Sequence, residues 1–257
     1  MIDYTETASN ENESILFIHG LGASRWMWWQ QEPAFSDYQV ILPDLPGHGK
    51  SVSTPWLSLA DTTNLIAQHV IKNRKIHVVG ISLGGHVALE LAKHYPEKIL
   101  STFISGITVQ PMHFQFLLKV QSRIVQRGIR NERYLNKLAH GYYHLPPDKS
   151  SEFIADYQLL TKETYETIWQ EIMQFRLDES YGHIDSPCLI VAGDQESRGI
   201  LESIEIAPQF IPTAVTRLIS DAQHAWPVQK AQQFNRTLRE WLVHQSNGMG
   251  SRNKNTD

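Results

Sequence analysis

Lys75-Ile76-His77-Val78-Val79-Gly80-Ile81-Ser82-Leu83-Gly84-Gly85-His86-Val87-Ala88-Leu89-Glu90-Leu91-Ala92 is the stretch that decides the fold. Its first part reads as a short buried strand, and its last part as a helix packed on one face. Ser82 is thereby held at a sharp strand-to-helix corner. G-x-S-x-G at such a corner is a nucleophile elbow. Packed strand and helix leave no room for side chains beside the serine, so its neighbours must be small. The serine takes a strained backbone conformation and exposes its hydroxyl. The corner also places a helix N-terminus under the reacting atom, where free N–H groups favour developing negative charge. Two glycines beside a serine also arise by chance, and the stretch would then be a plain glycine-rich bend. An acid and a histidine further along, in that order, separate the two readings.

Toward the N-terminus, Ser14-Ile15-Leu16-Phe17-Ile18 is an apolar run typical of a strand covered on both faces. It ends in His19-Gly20-Leu21-Gly22, a loop whose glycines let backbone N–H groups approach a ligand. The N–H of Leu21 is a candidate half of an oxyanion hole, with His19 as a brace of the loop. Trp26, Trp28 and Trp29 follow. Most of them are expected to pack inward, with one free to line a pocket mouth. Residues 2–7 form a candidate edge strand and residues 8–13 a polar turn. Residues 38–42 form a further strand that runs into Pro43-Asp44-Leu45-Pro46-Gly47-His48-Gly49-Lys50-Ser51, an ordered loop braced by Asp44 and His48. Ser58 with Asp61 resembles a capping box opening a helix over residues 59–73, with Leu65, Ile66, His69 and Val70 on its inner face.

Toward the C-terminus, residues 99–105 give another strand. Strands alternating with helices imply an α/β fold, a mostly parallel sheet with helices on both faces. The alternation stops over residues 111–181, which read as helical. Phe114, Leu117, Leu118, Ile124 and Val125 form one apolar stripe, and Tyr165, Ile168, Trp169, Ile172 and Phe175 another, with a break at Leu145-Pro146-Pro147-Asp148. A helical insertion after a strand's C-terminal end lies over the ligand side of an open α/β sheet. It is expected to be a cap, inserted in a core made of residues 1–110 and 182–246. Strand rhythm resumes over residues 187–192 and is followed by Gly193-Asp194-Gln195-Glu196. A strand over residues 215–219 leads into the loop holding His224. An amphipathic helix over residues 231–243, with Phe234, Leu238, Trp241 and Leu242 inward, closes the domain. The polar residues 247–257 are expected to be disordered.

The 257 residues suffice for one large α/β domain. The net charge of −4 and the absence of a basic stripe argue against nucleic acid as a partner. The lone Cys188 lies in a buried-strand pattern and can form no internal disulfide or zinc cluster. The acidic N-terminus holds no apolar run and no stretch has the length of a membrane span, so a cytoplasmic protein is the expectation.

Ser82, an acid loop and His224 therefore follow one another, each after a strand, in the chain order expected for this kind of sheet. A serine hydroxyl is a poor nucleophile at neutral pH. The imidazole of His224 can take its proton. The imidazole in turn needs an acceptor that fixes its tautomer and stabilises the cation formed.

With these pieces in place the chain resembles the α/β-hydrolase superfamily, in the group of small capped serine hydrolases, over about residues 2–245. The resemblance rests on His19-Gly20-Leu21-Gly22, Asp44 to Ser51, Gly80 to Gly85, Gly193-Asp194-Gln195-Glu196 and Gln223-His224. It implies Ser82 as nucleophile, His224 as base, and the N–H groups of Leu21 and Leu83 as the oxyanion hole. Relatives carry the acid three residues after the glycine that ends this strand, usually as Asp. Glu196 holds that position here, and Asp194 is the competing candidate. Gln223 stands where relatives often have Gly, and the first strand of the full superfamily sheet has no counterpart at the N-terminus. No aspartate stands at the nucleophile position, so the resemblance does not point to dehalogenases or epoxide hydrolases. It implies a carboxylesterase-like enzyme that acts on a small-molecule ester of small to medium apolar size and needs no metal or organic cofactor. A carbon–carbon bond hydrolase, lyase or perhydrolase of the same fold is the first rival. A ligand-binding sensor with little or no turnover is the second.

Overall fold

The structure is a computed structural model and describes residues 1–8, 13–111 and 127–252. Seven strands form one sheet: β1 (Tyr4–Glu6), β2 (Ser14–Ile18), β3 (Gln39–Pro43), β4 (Ile76–Ile81), β5 (Ile99–Ser105), β6 (Cys188–Gly193) and β7 (Ala214–Ile219). Their order is β1-β3-β2-β4-β5-β6-β7. Every pairing is parallel except that of β1 with β3.

Strands β2, β4 and β6 are buried along their whole length, as expected where helices cover both faces of a parallel sheet. Side chains alternate between two apolar cores. Leu16, Ile18, Ile76 and Val78 face one, and Ile15, Phe17, Val79 and Ile81 face the other. The outermost strand β7 leaves Val215 and Leu218 exposed. Trp28 is fully buried against Phe17 and Phe234, Trp26 is buried and Trp29 half-buried. Cys188 lies in the core, and burial pushes its thiol up to about 12.

Helix α1 (Leu59–Leu65) starts as expected, with the Ser58 hydroxyl accepting from Asp61 N at 3.0 Å. Its continuation differs from the expected regular helix over residues 59–73. Residues Ile66–Ile71 wind as a π-helix, shown by Lys72 N donating to Ala67 O at 3.1 Å. The wider turn rotates Ala67 and Ile71 inward beside Ile66 and Val70, and leaves His69 exposed instead of facing the core. Helix α2 (Leu83–His94) packs on β4 and β5.

Between β5 and β6 the described residues form α3 (Glu132–Lys137) with a π turn after it, α4 (Pro147–Leu159) and α5 (Lys162–Gln174). The apolar stripe from Phe114 to Val125 lies outside the described residues. Two carboxylates fasten the inserted helices to the rest. Asp156 on α4 accepts from Trp26 Nε1 at 2.7 Å. Glu171 on α5 accepts from Trp56 Nε1 at 2.7 Å and from Leu59 N at 2.9 Å, so it also satisfies an open donor at the start of α1. After β6 come α6 (Arg198–Phe210), α7 (Trp226–Gln229) and α8 (Ala231–Arg252). Phe234, Leu238 and Leu242 of α8 are fully buried. The helix continues past residue 243, so the backbone of residues 247–252 is helical where a disordered tail is expected.

Candidate functional site

The corner between β4 and α2 carries the expected geometry. Ser82 has φ 54° and ψ −119°, a region that non-glycine residues rarely occupy. Its N–H donates to Ser105 O at 2.9 Å, and its own carbonyl accepts from Gly85 N and His86 N at 2.9 and 3.1 Å. The flanking glycines are a packing requirement. A Cβ on Gly80 would lie 2.2 Å from Gly84 O, and one on Gly84 would lie 2.1 Å from Ile18 O. The crossover between β2, β4 and α2 can only close with hydrogen at these positions.

Leu83 is the first residue of α2, ahead of the first helical hydrogen bonds, where N–H groups have no intrahelical partner. The loop after β2 runs alongside: a Cβ on Gly20 would stand 3.5 Å from Ser82 Cβ. Leu21 and Leu83 thus follow Gly20 and Ser82 on two adjoining pieces of chain. His19 holds the first of these. Its Nδ1 donates to Gly20 O at 2.8 Å, and its Nε2 accepts from Leu45 N at 2.9 Å. Asp44 accepts from Arg25 N, Arg25 Nη2 and Lys50 N at 2.8, 2.6 and 2.9 Å. The His48 ring donates to Pro46 O at 2.9 Å, and burial pulls it down to about 3. Burial likewise lowers His19. These groups are neutral or ion-paired braces of two loops.

His224 stands on the loop between β7 and α7. Its Nδ1 donates to Glu196 Oε2 at 2.6 Å, and in the neutral ring that tautomer makes Nε2 the acceptor. The Glu196 side chain is fully buried, and its Oε1 accepts from Gly193 N at 3.1 Å. Asp194, the other candidate acid, is exposed and accepts from Ala222 N at 3.2 Å. It secures the loop that carries His224 without touching the ring.

Gly106 and His86, which no motif in the sequence marks, also shape this site. Gly106, just after β5, has φ 67°, and a Cβ on it would lie 2.9 Å from both Cε1 and Nδ1 of His224 and 3.3 Å from Glu196 Oε1. Only glycine leaves room for the His–Glu pair. The signal was present as a glycine ending a strand. His86 places Nδ1 3.0 Å from Ser82 O and Nε2 3.0 Å from Thr108 O, and a neutral ring can donate to only one of them. Burial lowers its pKa. Its ring meets Phe175 edge-on at 4.6 Å, which ties the elbow to the chain following α5.

Two hollows meet at Ser82, Leu21 and His224. One is narrow, about 60 Å³, and walled by Trp26, Met27, Tyr143, Phe153, Tyr157 and Val228. The other is wide, about 540 Å³, and bordered by His86, Thr108, Tyr142, Trp169, Gln195 and Gln223. Tyr143, Phe153 and Tyr157 form a continuous aromatic wall with ring centroids 5.1 and 4.7 Å apart. Among the described residues, no group of three or more His, Cys, Asp or Glu could hold a metal ion.

A family model for the alpha/beta hydrolase fold matches residues 13–231. An AB hydrolase superfamily protein of Gibberella zeae is 37% identical over 122 residues, 45% of this chain and 43% of its own length. A dihydrolipoyllysine-residue acetyltransferase component of an acetoin cleaving system from Cupriavidus necator is 28% identical over 248 residues, 90% of this chain and 63% of its own length. The chain therefore spans less than two thirds of the length of either relative. Among solved structures, a membrane phospholipase A described as a bacterial virulence factor superposes with a TM-score of 0.78 at 23% identity, over 96% of this chain and 83% of that one. At that identity the likeness is one of fold.

Proposed function

The chain belongs to the alpha/beta hydrolase fold family, and from that premise we propose that it cleaves carboxylic esters with Ser82 as nucleophile, His224 as base and Glu196 as the acid of the triad. The observation that carries this reading is the 2.6 Å bond from His224 to a fully buried Glu196 at the same hollow as the strained Ser82.

Ser82 Oγ attacks the ester carbonyl while its proton passes to His224 Nε2. Glu196 holds Nδ1–H and stabilises the imidazolium that forms. The carbonyl oxygen becomes an anion within reach of the N–H groups of Leu21 and Leu83, and each such donor contributes roughly 2.7–4 kcal/mol. The tetrahedral intermediate collapses and the C–O bond breaks. The alcohol leaves with the proton from His224, and an acyl-serine remains. A water molecule then gives its proton to His224 and attacks the acyl carbon. The carboxylic acid departs, and Ser82 regains its proton. The helices between β5 and β6 act as a cap over this site. No helix among the described residues is long and apolar enough to cross a membrane.

Turnover of p-nitrophenyl acetate or butyrate tests the reading. The protein is expected to hydrolyse these esters, and Ser82→Ala to abolish turnover and labelling by a fluorophosphonate. Absence of both turnover and labelling would reject an enzymatic role at Ser82. Labelling without ester turnover would move the assignment to carbon–carbon bond or related chemistry at the same serine.

A further inference from the structure

The two hollows at Ser82 differ in size and in chemistry, and the difference bears on what the substrate is. The narrow one, at about 60 Å³, is roughly a ninth the size of the wide one at about 540 Å³. Its wall is apolar and set in place from several elements. Trp26 and Met27 come from the segment after β2, Val228 from α7, and Tyr143, Phe153 and Tyr157 from the inserted helices and the turn before them. The wall is stiff. Trp26 packs edge-on to Phe153 with centroids 6.0 Å apart, and its indole N–H is held by Asp156. Tyr157 lies over Gly22 so closely that a Cβ there would stand 2.6 Å from its ring. Widening the hollow would require several aromatic rings to move together.

The wide hollow is bordered by amide, hydroxyl and imidazole groups of Gln195, Gln223, Ser197, Thr108 and His86.

An ester hydrolysed in two steps must release its alcohol while the acyl group stays bonded to the serine, and water must then enter. The roomier hollow suits departure and entry, and the narrow one suits the group that stays. Resting on the proposed ester hydrolysis, we infer that this site takes short-chain acyl esters, with the acyl group in the narrow hollow and a larger alcohol in the wide one. Phe153 and Val228 limit the acyl length.

The test is a series of 4-methylumbelliferyl esters that share one alcohol and differ in acyl chain. kcat/KM for the acetate and butyrate should exceed that for the octanoate at least tenfold. Phe153→Ala and Val228→Ala should each narrow that ratio at least fivefold. Val228→Ala keeps the test open if loss of the fully buried Phe153 prevents folding. Octanoate hydrolysed as fast as acetate by the wild type would overturn the inference while leaving ester hydrolysis standing. So would an unchanged ratio in a folded Val228→Ala. Absence of turnover with every ester would overturn both.

Discussion

Glu196 Oε2, on a fully buried side chain, receives the Nδ1–H of the half-exposed His224 at 2.6 Å, although the side chains belong to loops at the ends of different strands. Asp194, two residues earlier, turns outward and holds Ala222 N. The spacing follows from the turn after β6. Glu196 N donates back to Gly193 O at 3.2 Å, and the carboxylate folds over to accept Gly193 N at 3.1 Å. A side chain one methylene longer than aspartate therefore reaches the ring from a carboxylate anchored on its own turn.

The two carboxylates should separate clearly on substitution. Glu196→Gln removes the negative charge beside the imidazolium and is expected to lower kcat by about 10²–10⁴-fold, with little change in KM. Asp194→Asn keeps an acceptor for Ala222 N and should cost less than about threefold. Steady-state kinetics on p-nitrophenyl butyrate compares them. Equal losses would reject Glu196 as the acid.

Ser82 sits at φ 54° and its side chain makes no capping bond to α2. Glycine tolerates this conformation, and alanine does not. Ser82→Gly is expected to raise stability by about 1 kcal/mol, or a melting temperature higher by about 2–4 °C, while abolishing turnover. Ser82→Ala should abolish turnover with no such gain. Thermal unfolding of both variants, followed by circular dichroism, checks the difference.

These contrasts indicate what a sequence can carry. The elbow was legible because its constraint is local: Gly80 and Gly84 are forced by backbone atoms less than 3 Å from where a Cβ would be. The order of Ser82, Glu196 and His224 was legible because parallel strands deliver successive loops to one sheet edge. The π winding after Leu65 was not legible, since the choice between His69 and Ala67 as an inward residue is made by packing against the sheet. The indole bond from Trp26 to Asp156 joins residues 130 apart, and no local pattern marks it. Gly106 lay between these cases. Its type was visible, but the ring it makes room for came from a distant loop.

Gly106→Ala tests that room. A side chain at φ 67° costs about 1–2 kcal/mol in backbone strain. Its methyl would also press on the His224 ring. The expected result is a melting temperature lowered by a few degrees and kcat reduced at least tenfold, with KM changed far less. Retention of full kcat in a variant that shows the lowered melting temperature would mean that the ring adjusts without penalty.

Asp156 gives the last prediction a sign. Burial raises its carboxyl to about 6, against the opposing effect of its bonds from Ser24 and Trp26. The folded state therefore holds this proton more tightly than the unfolded state, whose aspartate titrates near ~3.9. Stability from this group is fully present below the unfolded value and is lost as pH rises through about 6. Asp156→Asn keeps an acceptor for the Trp26 indole without the charge. Relative to wild type it should gain on the order of 1–2 kcal/mol at pH 7.5, and the gain should vanish by about pH 4. Denaturant unfolding of the two proteins across this range measures it, and the difference between them removes the contribution of every other titrating group. A gain that stayed constant with pH would show that the carboxyl titrates alike in both states.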